Sequence, residues 1–429
     1  MLFKNITILD EQFQTRENMY VGVKGDRIAY IGNRMPEEDF GEEYDGTGRL
    51  LMTAFYNAHA HSPMMMMRGY GENLALSDWL NTRIFPFEDK LTGEAVYYST
   101  LLAMAESARF GIVSTSDMYY FCEDMARAVE ASGAKANISR SITSFAEGSV
   151  KENDSYKEAV ELVRNYHGAA DGRILIDASI HAEYTNTPVS VWEVAEYAAE
   201  YGINMHIHIS ETQSEHEECK MRHEGRTPVR YLDDLGVFGT RTTAAHCVWV
   251  EDEDIDILAE RGVTVASCPV SNLKLASGVC NVPKLLSRGV NVAIGTDSVA
   301  SNNSLNFIEE MKFFALVNKG QQHDPTLITP AETLRAATQA GAFAQGRADC
   351  GVLKEGGKAD LIVLDTALPH MKPVHDLATN VVYSASGSDV VLTMCDGRVL
   401  YRDGLYLTVD IEKAIAETEA ACRKILAQL

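Results

Sequence analysis

Met52-Thr53-Ala54-Phe55-Tyr56-Asn57-Ala58-His59-Ala60-His61 is an apolar run that ends in two histidines one residue apart. It reads as a buried β-strand. Side chains alternate faces along a strand, so His59 and His61 emerge on the same side, as two imidazoles reaching for one ion must. Four later segments close apolar runs in a similar way: Ile180-His181-Ala182-Glu183, His206-Ile207-His208-Ile209-Ser210-Glu211, Ala245-His246-Cys247 and Gly295-Thr296-Asp297-Ser298.

Between and around these segments, strand patterns alternate with amphipathic helices. After the opening strand come Ile112 to Asp117, Lys135 to Ile142, Ile174 to His181, Ile203 to Ser210, Thr242 to Cys247, Thr264 to Pro269 and Val290 to Asp297. Helical periodicity covers Gly93 to Phe110, Ser155 to Tyr166, Pro188 to Glu200, Asp252 to Arg261, Leu305 to Asn318 and Pro330 to Gln345. Eight β/α units in one run predict an α/β fold of the (β/α)8 TIM-barrel type rather than an open doubly wound sheet. Short alternating strands before Leu51 reappear only near Asp360 to Tyr401. Neither piece carries enough apolar surface to fold alone, so the two are expected to pair into one composite β-sandwich. The expected organisation is a sandwich from 1–56 and 350–408, a barrel over 57–349, and a helix over 409–429 that packs on the body.

Composition narrows the function. The chain has 429 residues, 46% hydrophobic and 23% charged, an ordinary globular balance. A formal net charge of −23 predicts repulsion of nucleic acid and anionic lipid, and favours a neutral or cationic small-molecule substrate. Eight cysteines without a CxxC pair, no signal peptide and no membrane-length apolar run predict reduced thiols and a cytoplasmic location.

Every polar candidate falls at the carboxyl end of its expected strand, the face on which barrel enzymes build their sites. Three imidazoles and a carboxylate with a position left for water suit one zinc ion, and iron or manganese would accept the same nitrogen and oxygen donors. Such an ion brings the pKa of its water toward neutrality. Glu211, three residues past His208, can reach that water without occupying the metal, as a proton shuttle should. Each residue alone has a blander reading: a strand histidine is more often a hydrogen-bonded core residue, and Asp297 after Gly-Thr could cap a helix. His206, one layer deeper, suits packing or support of a ligand. The run Met64 to Met67 suits core or a pocket wall, Trp79 suits core, and Glu88 suits a first-turn helix acid. Coincidence on one rim outweighs these separate readings.

Beyond the strand ends, the motifs Asn57-Ala58-His59-Ala60-His61-Ser62-Pro63-Met64, Trp79-Leu80, Ile84-Phe85-Pro86-Phe87-Glu88, His208-Ile209-Ser210-Glu211-Thr212, Ser271-Asn272-Leu273-Lys274-Leu275 and Ala300-Ser301-Asn302-Asn303-Ser304-Leu305 complete a pattern. It resembles the amidohydrolase superfamily, and within it the 5′-methylthioadenosine/S-adenosylhomocysteine deaminase branch, nearly end to end. The resemblance implies one divalent metal held by His59, His61, His208 and Asp297, with Glu211 as general acid/base, and with His246 and Asp297 sharing the catalytic work. It implies substrate contacts from Glu88 to ribose hydroxyls, from His181 to the nucleoside, from Arg140 near the 5′ substituent, and from Trp79 and Glu211. A homo-oligomer is expected on the same ground.

The fourth strand has no lysine to bridge a second metal, so the resemblance implies one. Two departures from the family pattern matter: Thr53-Ala54 stands where Pro-Gly usually precedes the aromatic of the first strand, and the second arginine that S-adenosylhomocysteine-accepting members carry after the third strand is missing. No arginine lies between Ser141 and Leu162, where Lys151 is the nearest basic group, which favours methylthioadenosine, 5′-deoxyadenosine or adenosine over S-adenosylhomocysteine. The reaction expected is hydrolytic loss of ammonia from adenine to give the inosine analogue. The rivals are another aminohydrolase or a dechlorinase acting on guanine, a pterin, cytosine or an s-triazine, and a barrel that kept its shape without catalysis.

Overall fold

The computed structural model describes residues 1–429. Eight parallel strands form its central sheet: β1 (Phe55–Ala60), β2 (Ile112–Tyr119), β3 (Lys135–Arg140), β4 (Ile174–Ser179), β5 (Met205–Ile209), β6 (Thr242–His246), β7 (Thr264–Ser267) and β8 (Asn291–Ile294). Each pairs with its sequence neighbour, and the ring closes where the Asp297 amide donates to the His59 carbonyl at 2.9 Å. The expected barrel is therefore present. Gly295 lies at this seam because a Cβ there would come within 2.8 Å of the His59 Cβ and 2.9 Å of the Cys268 Sγ.

Helices cover the outside of the ring, and their ends carry the expected punctuation. Pro188–Tyr201 begins with Thr187 accepting from the Ser190 amide, places Pro188 in its first turn, and stops at Gly202 in the left-handed region. Pro330 to Gln345, which the periodicity reads as one helix, is two: Pro330–Ala337 and Gln339–Ala344. Thr338 breaks it, with a non-helical backbone and a hydroxyl turned back to the Leu334 carbonyl at 2.7 Å.

The second segment then plugs the amino-terminal mouth of the barrel. Gln345 Nε2 donates to the Asn57 carbonyl at 3.1 Å, and Arg347 donates to the carbonyls of Ala136, Gly172 and Arg173. The opposite mouth is left for the site.

Strands from both chain ends form one mixed sheet. Its order runs Leu405–Tyr406, Arg398–Arg402, Val390–Cys395, Leu361–Asp365, Arg49–Thr53, Leu2–Leu9, Thr15–Lys24, Arg27–Gly32. The joint between the two ends is the antiparallel pair Arg49–Thr53 with Leu361–Asp365, in which Leu51 faces Val363. Alternation gives that joint two apolar faces: Leu51, Leu361 and Val363 enter the sheet's own core with Phe3, Ile8 and Leu392, whereas Leu50, Met52, Ile362 and Leu364 join the barrel core. The opening run is accordingly two strands, Arg49–Thr53 in the mixed sheet and Phe55–Ala60 in the barrel. The switch comes at Ala54, whose amide donates to Asp360 before Phe55 turns to Gly111.

Lys135 pins the two sheets together. It is almost fully buried at the start of β3 and bonds both Asp360 and Asp396, while Tyr56 of β1 donates to Asp360. The last helix, Ile411–Leu426, packs through Ala414 on Leu101 and Ala105 of the helix Gly93–Arg109.

Candidate active site

The carboxyl ends of β1, β5, β6 and β8 bring six imidazole and carboxylate side chains together. His61 Nδ1 donates to the Met118 carbonyl at 2.6 Å, and His208 Nδ1 to the His181 carbonyl at 2.8 Å. Both rings are thereby fixed as tautomers whose Nε2 carries a lone pair. Those two Nε2 atoms lie 3.3 Å apart. Two lone pairs at that distance repel each other unless a cation lies between them.

His59 completes the set. Its Nδ1 pairs with His206 Nε2 at 2.9 Å, and its Nε2 is buried without a partner, 3.6 Å from Asp297 Oδ1. His61 Nε2 is 3.4 Å from the same oxygen. His206 therefore supports a ligand-like ring from the layer below. An orphaned buried nitrogen, two facing lone pairs and a carboxylate form a donor set that fits one divalent cation of borderline hardness.

His246 differs from the other three. Asn272 Nδ2 donates to its Nδ1 at 2.9 Å, so the proton of the neutral ring sits on Nε2 and points into the site. That Nε2 lies 3.7 Å from Glu211 Oε2. Burial lowers the pKa of His59, His208 and His246 and keeps the rings neutral. Glu211 is pushed up to about 8, first by burial and then by the charge of Asp297, and its Oε1 accepts from Ser277 Oγ at 3.3 Å. Ser271 and Ser301 hydroxyls, at 2.5 and 3.0 Å, and the Ser298 amide at 2.7 Å fix Asp297. Several residues at this rim, among them Ser210, His246 and Asp297, have positive φ, a strained backbone for residues with side chains that turns the strand ends sharply into the site.

Residues 50–400 match the profile of the Amidohydrolase family. The chain belongs to the amidohydrolase family. Over 409 residues it is 41% identical to a 5′-deoxyadenosine deaminase of Methanosarcina mazei, covering 95% of this chain and 94% of that one. It is 40% identical to a 5-methylthioadenosine/S-adenosylhomocysteine deaminase of Dictyoglomus thermophilum, covering 98% of this chain and 97% of that one. A crystal structure of an adenosine deaminase from Xanthomonas campestris with bound zinc superposes with a TM-score of 0.93 at 30% identity, covering 99% of this chain and 98% of that one.

In this amidohydrolase the constellation floors an inner cavity walled by Met64, Trp79, Phe85, Glu88, Tyr184 and Leu275. Trp79 is buried, as a core residue would be, yet it also forms part of this wall. Glu88 stands between the inner cavity and a wider outer chamber, and burial pushes its carboxyl up to about 7. His181 borders both spaces and is brought down to about 4, chiefly by burial. Arg140 is farther out: it lines the outer chamber and is absent from the inner wall.

Two residues of the inner wall carried no signal in the sequence. Tyr119, 3% exposed, sets its hydroxyl beside the Glu88 carboxyl, and Ser141, 5% exposed, has a buried hydroxyl without a partner in the protein. An orphaned hydroxyl in a cavity wall is a group open to a ligand's polar atoms. The sequence pattern leaves Tyr119 two residues past the expected strand Ile112 to Asp117 and puts Ser141 inside the expected strand Lys135 to Ile142, with nothing to single out either. Only the closure of the ring aims them at the histidines.

Proposed function

We propose that this chain is a metal-dependent hydrolytic deaminase of adenine nucleosides, with zinc as the ion and 5′-deoxyadenosine, methylthioadenosine or adenosine as substrate. The observation that carries the proposal is the division among the rings: the Nε2 lone pairs of His61 and His208, the unpartnered Nε2 of His59 and Asp297 converge on one point, while His246 presents an Nε2–H beside the buried Glu211. The relatives' names and the zinc of the Xanthomonas enzyme support the same reading.

His59, His61, His208 and Asp297 would hold the ion, which when bound supplies Lewis-acid activation of water at neutral pH. Glu211 keeps its proton on Oε2, since Oε1 is taken by Ser277, and hands it to the adenine ring nitrogen next to the amine-bearing carbon. That protonation makes the carbon electrophilic. His246 Nε2–H would steady the water oxygen that adds there, and Asp297 would take the proton this oxygen sheds and pass it to the amine, so that the C–N bond breaks and the amine leaves as ammonia while the new C=O forms. Glu88 would bind ribose hydroxyls, Trp79 and His181 would border the nucleoside, and Arg140 would stand near the 5′ end.

The test is a rate screen of adenosine, 5′-deoxyadenosine, methylthioadenosine and S-adenosylhomocysteine, followed by loss of adenine absorbance and release of ammonia, beside metal analysis of the same preparation. Turnover of one or more nucleosides by protein with about one zinc per chain is expected. Protein carrying stoichiometric metal that deaminates none of the four would refute the reading.

A further inference from the structure

The outer chamber, about 820 Å³, opens from the inner cavity through shared walls at Phe85, Glu88, Tyr120 and His181. With adenine at the metal centre and ribose at Glu88, this is the space left for whatever the nucleoside carries at its 5′ carbon. The charges around it are lopsided. Five carboxylates line it, from Asp89, Glu123, Asp124, Glu158 and Glu161, with the raised Glu88 at its inner edge, against one guanidinium, from Arg140. His181, brought down to about 4, adds no positive charge at neutral pH.

That guanidinium is already engaged on three sides. Its Nε donates to Glu158 Oε2 at 2.6 Å, a terminal nitrogen donates to the Ser141 carbonyl at 2.6 Å, and its plane lies 4.9 Å from the centre of the Tyr120 ring. Glu158 sits on the helix Asp154–Tyr166, with Glu161 one turn on, so the same helix face that holds Arg140 also adds negative charge to the chamber. An incoming carboxylate would have to displace Glu158 from Arg140 and then lie among the remaining acids. Asp89, Glu123 and Glu161 have no basic partner within salt-bridge distance, so an incoming ammonium finds acceptors already in place. The buried, unpartnered hydroxyl of Ser141 lies in the inner cavity, next to the residue whose side chain lines the outer chamber, Arg140.

We propose that Glu158 is a specificity-determining residue: by occupying Arg140 it makes the chamber select 5′ arms that are neutral or carry an ammonium, and reject arms that carry a carboxylate. The proposal rests on the adenine-nucleoside reading and names the substrate class within it. The discrimination is electrostatic and partly exposed, so its size is set by salt.

A matched pair of thioethers tests it: S-adenosylhomocysteine, and the same nucleoside lacking only the carboxylate, 5′-deoxy-5′-(3-aminopropylthio)adenosine, with methylthioadenosine as the uncharged reference. At low ionic strength kcat/KM for the amine should exceed that for the amino acid by about tenfold or more. The ratio should shrink toward unity in about 0.5 M salt. Glu158→Gln should narrow it to within about threefold, by raising the rate on S-adenosylhomocysteine once the Arg140 charge is released. A wild-type ratio near one, a preference for the carboxylate, or turnover of methylthioadenosine with neither charged arm accepted would overturn the proposal. So would a ratio that Glu158→Gln leaves in place, and if that variant does not fold, a wild-type ratio indifferent to salt does the same. Failure of all three nucleosides with metal bound is a separate result, and it removes the nucleoside reading itself.

Discussion

At the scale of single residues, the imidazoles proposed as ligands and the one proposed as a proton donor differ by which ring nitrogen is occupied from outside. His61 and His208 spend Nδ1–H on backbone carbonyls and aim a lone pair inward, while His246 receives a hydrogen bond at Nδ1 and aims a proton inward. His59→Ala, which removes the orphaned Nε2, is accordingly expected to leave the purified protein with well under one metal per chain; retention of stoichiometric metal would show that His59 is no ligand. Glu211→Gln should behave in the opposite way. It keeps the volume and the Ser277 contact but cannot shuttle a proton, so metal content should stay near wild type while kcat falls by about 10²–10⁴-fold. Near-normal turnover by that variant would remove Glu211 from the chemistry. These side chains were legible in the sequence because strand alternation and strand ends place them without knowledge of packing. The hydroxyls of Tyr119 and Ser141, and the grip of Glu158 on Arg140, were not legible, since each depends on how a neighbouring strand or helix is laid against the ring.

At the scale of elements, the loops after β7 and β8 are tied by a buried acid on the helix Phe307–Gln322. Glu310 accepts from the Val270 amide at 3.0 Å and from Asn302 Nδ2 at 2.8 Å, and burial pushes its carboxyl up to about 8. The folded protein thus holds a proton on Glu310 that the unfolded chain has released above its ordinary carboxylate pKa. Stability from this group is greatest at acid pH and declines as pH rises from about 4.5 to about 8. Replacing it with Gln removes the titration, whatever it does to the absolute Tm. The slope of Tm against pH across that window should flatten in Glu310→Gln, as calorimetry at several pH values can show; an unchanged slope would mean that Glu310 is ionised throughout. Among elements, the strands were easier to foresee than the helices: the Thr338 break interrupts a clean helical periodicity because a hydroxyl bonding backward and the need to plug the barrel mouth override it.

At the scale of the whole molecule, the barrel and the sheet built from both chain ends share an interface whose centre is ionic. Lys135 belongs to β3, Asp360 and Asp396 to the far end of the chain, and all three meet with Tyr56 at 0–13% side-chain exposure. Removing the cation leaves the buried Asp360 carboxylate without a counter-charge, while Asp396 keeps Lys358 at 3.5 Å. Lys135→Met should therefore destabilise the protein by about 3–5 kcal/mol, measured by denaturant unfolding, with the loss appearing in both bodies together. A loss below about 1 kcal/mol would show that the pair is dispensable. That both ends contribute to one sheet was foreseeable because neither has a core of its own. Where they join was not, since either face of Arg49–Thr53 looks equally apolar. The joint also bears on biosynthesis. The strand Arg49–Thr53 leaves the ribosome more than three hundred residues ahead of its partner Leu361–Asp365. At about 5–20 residues per second it must wait on the order of tens of seconds with both oily faces and one row of backbone amides uncovered. For that interval the nascent chain is a natural client for chaperones, and slowing translation late in the message should raise the fraction that aggregates.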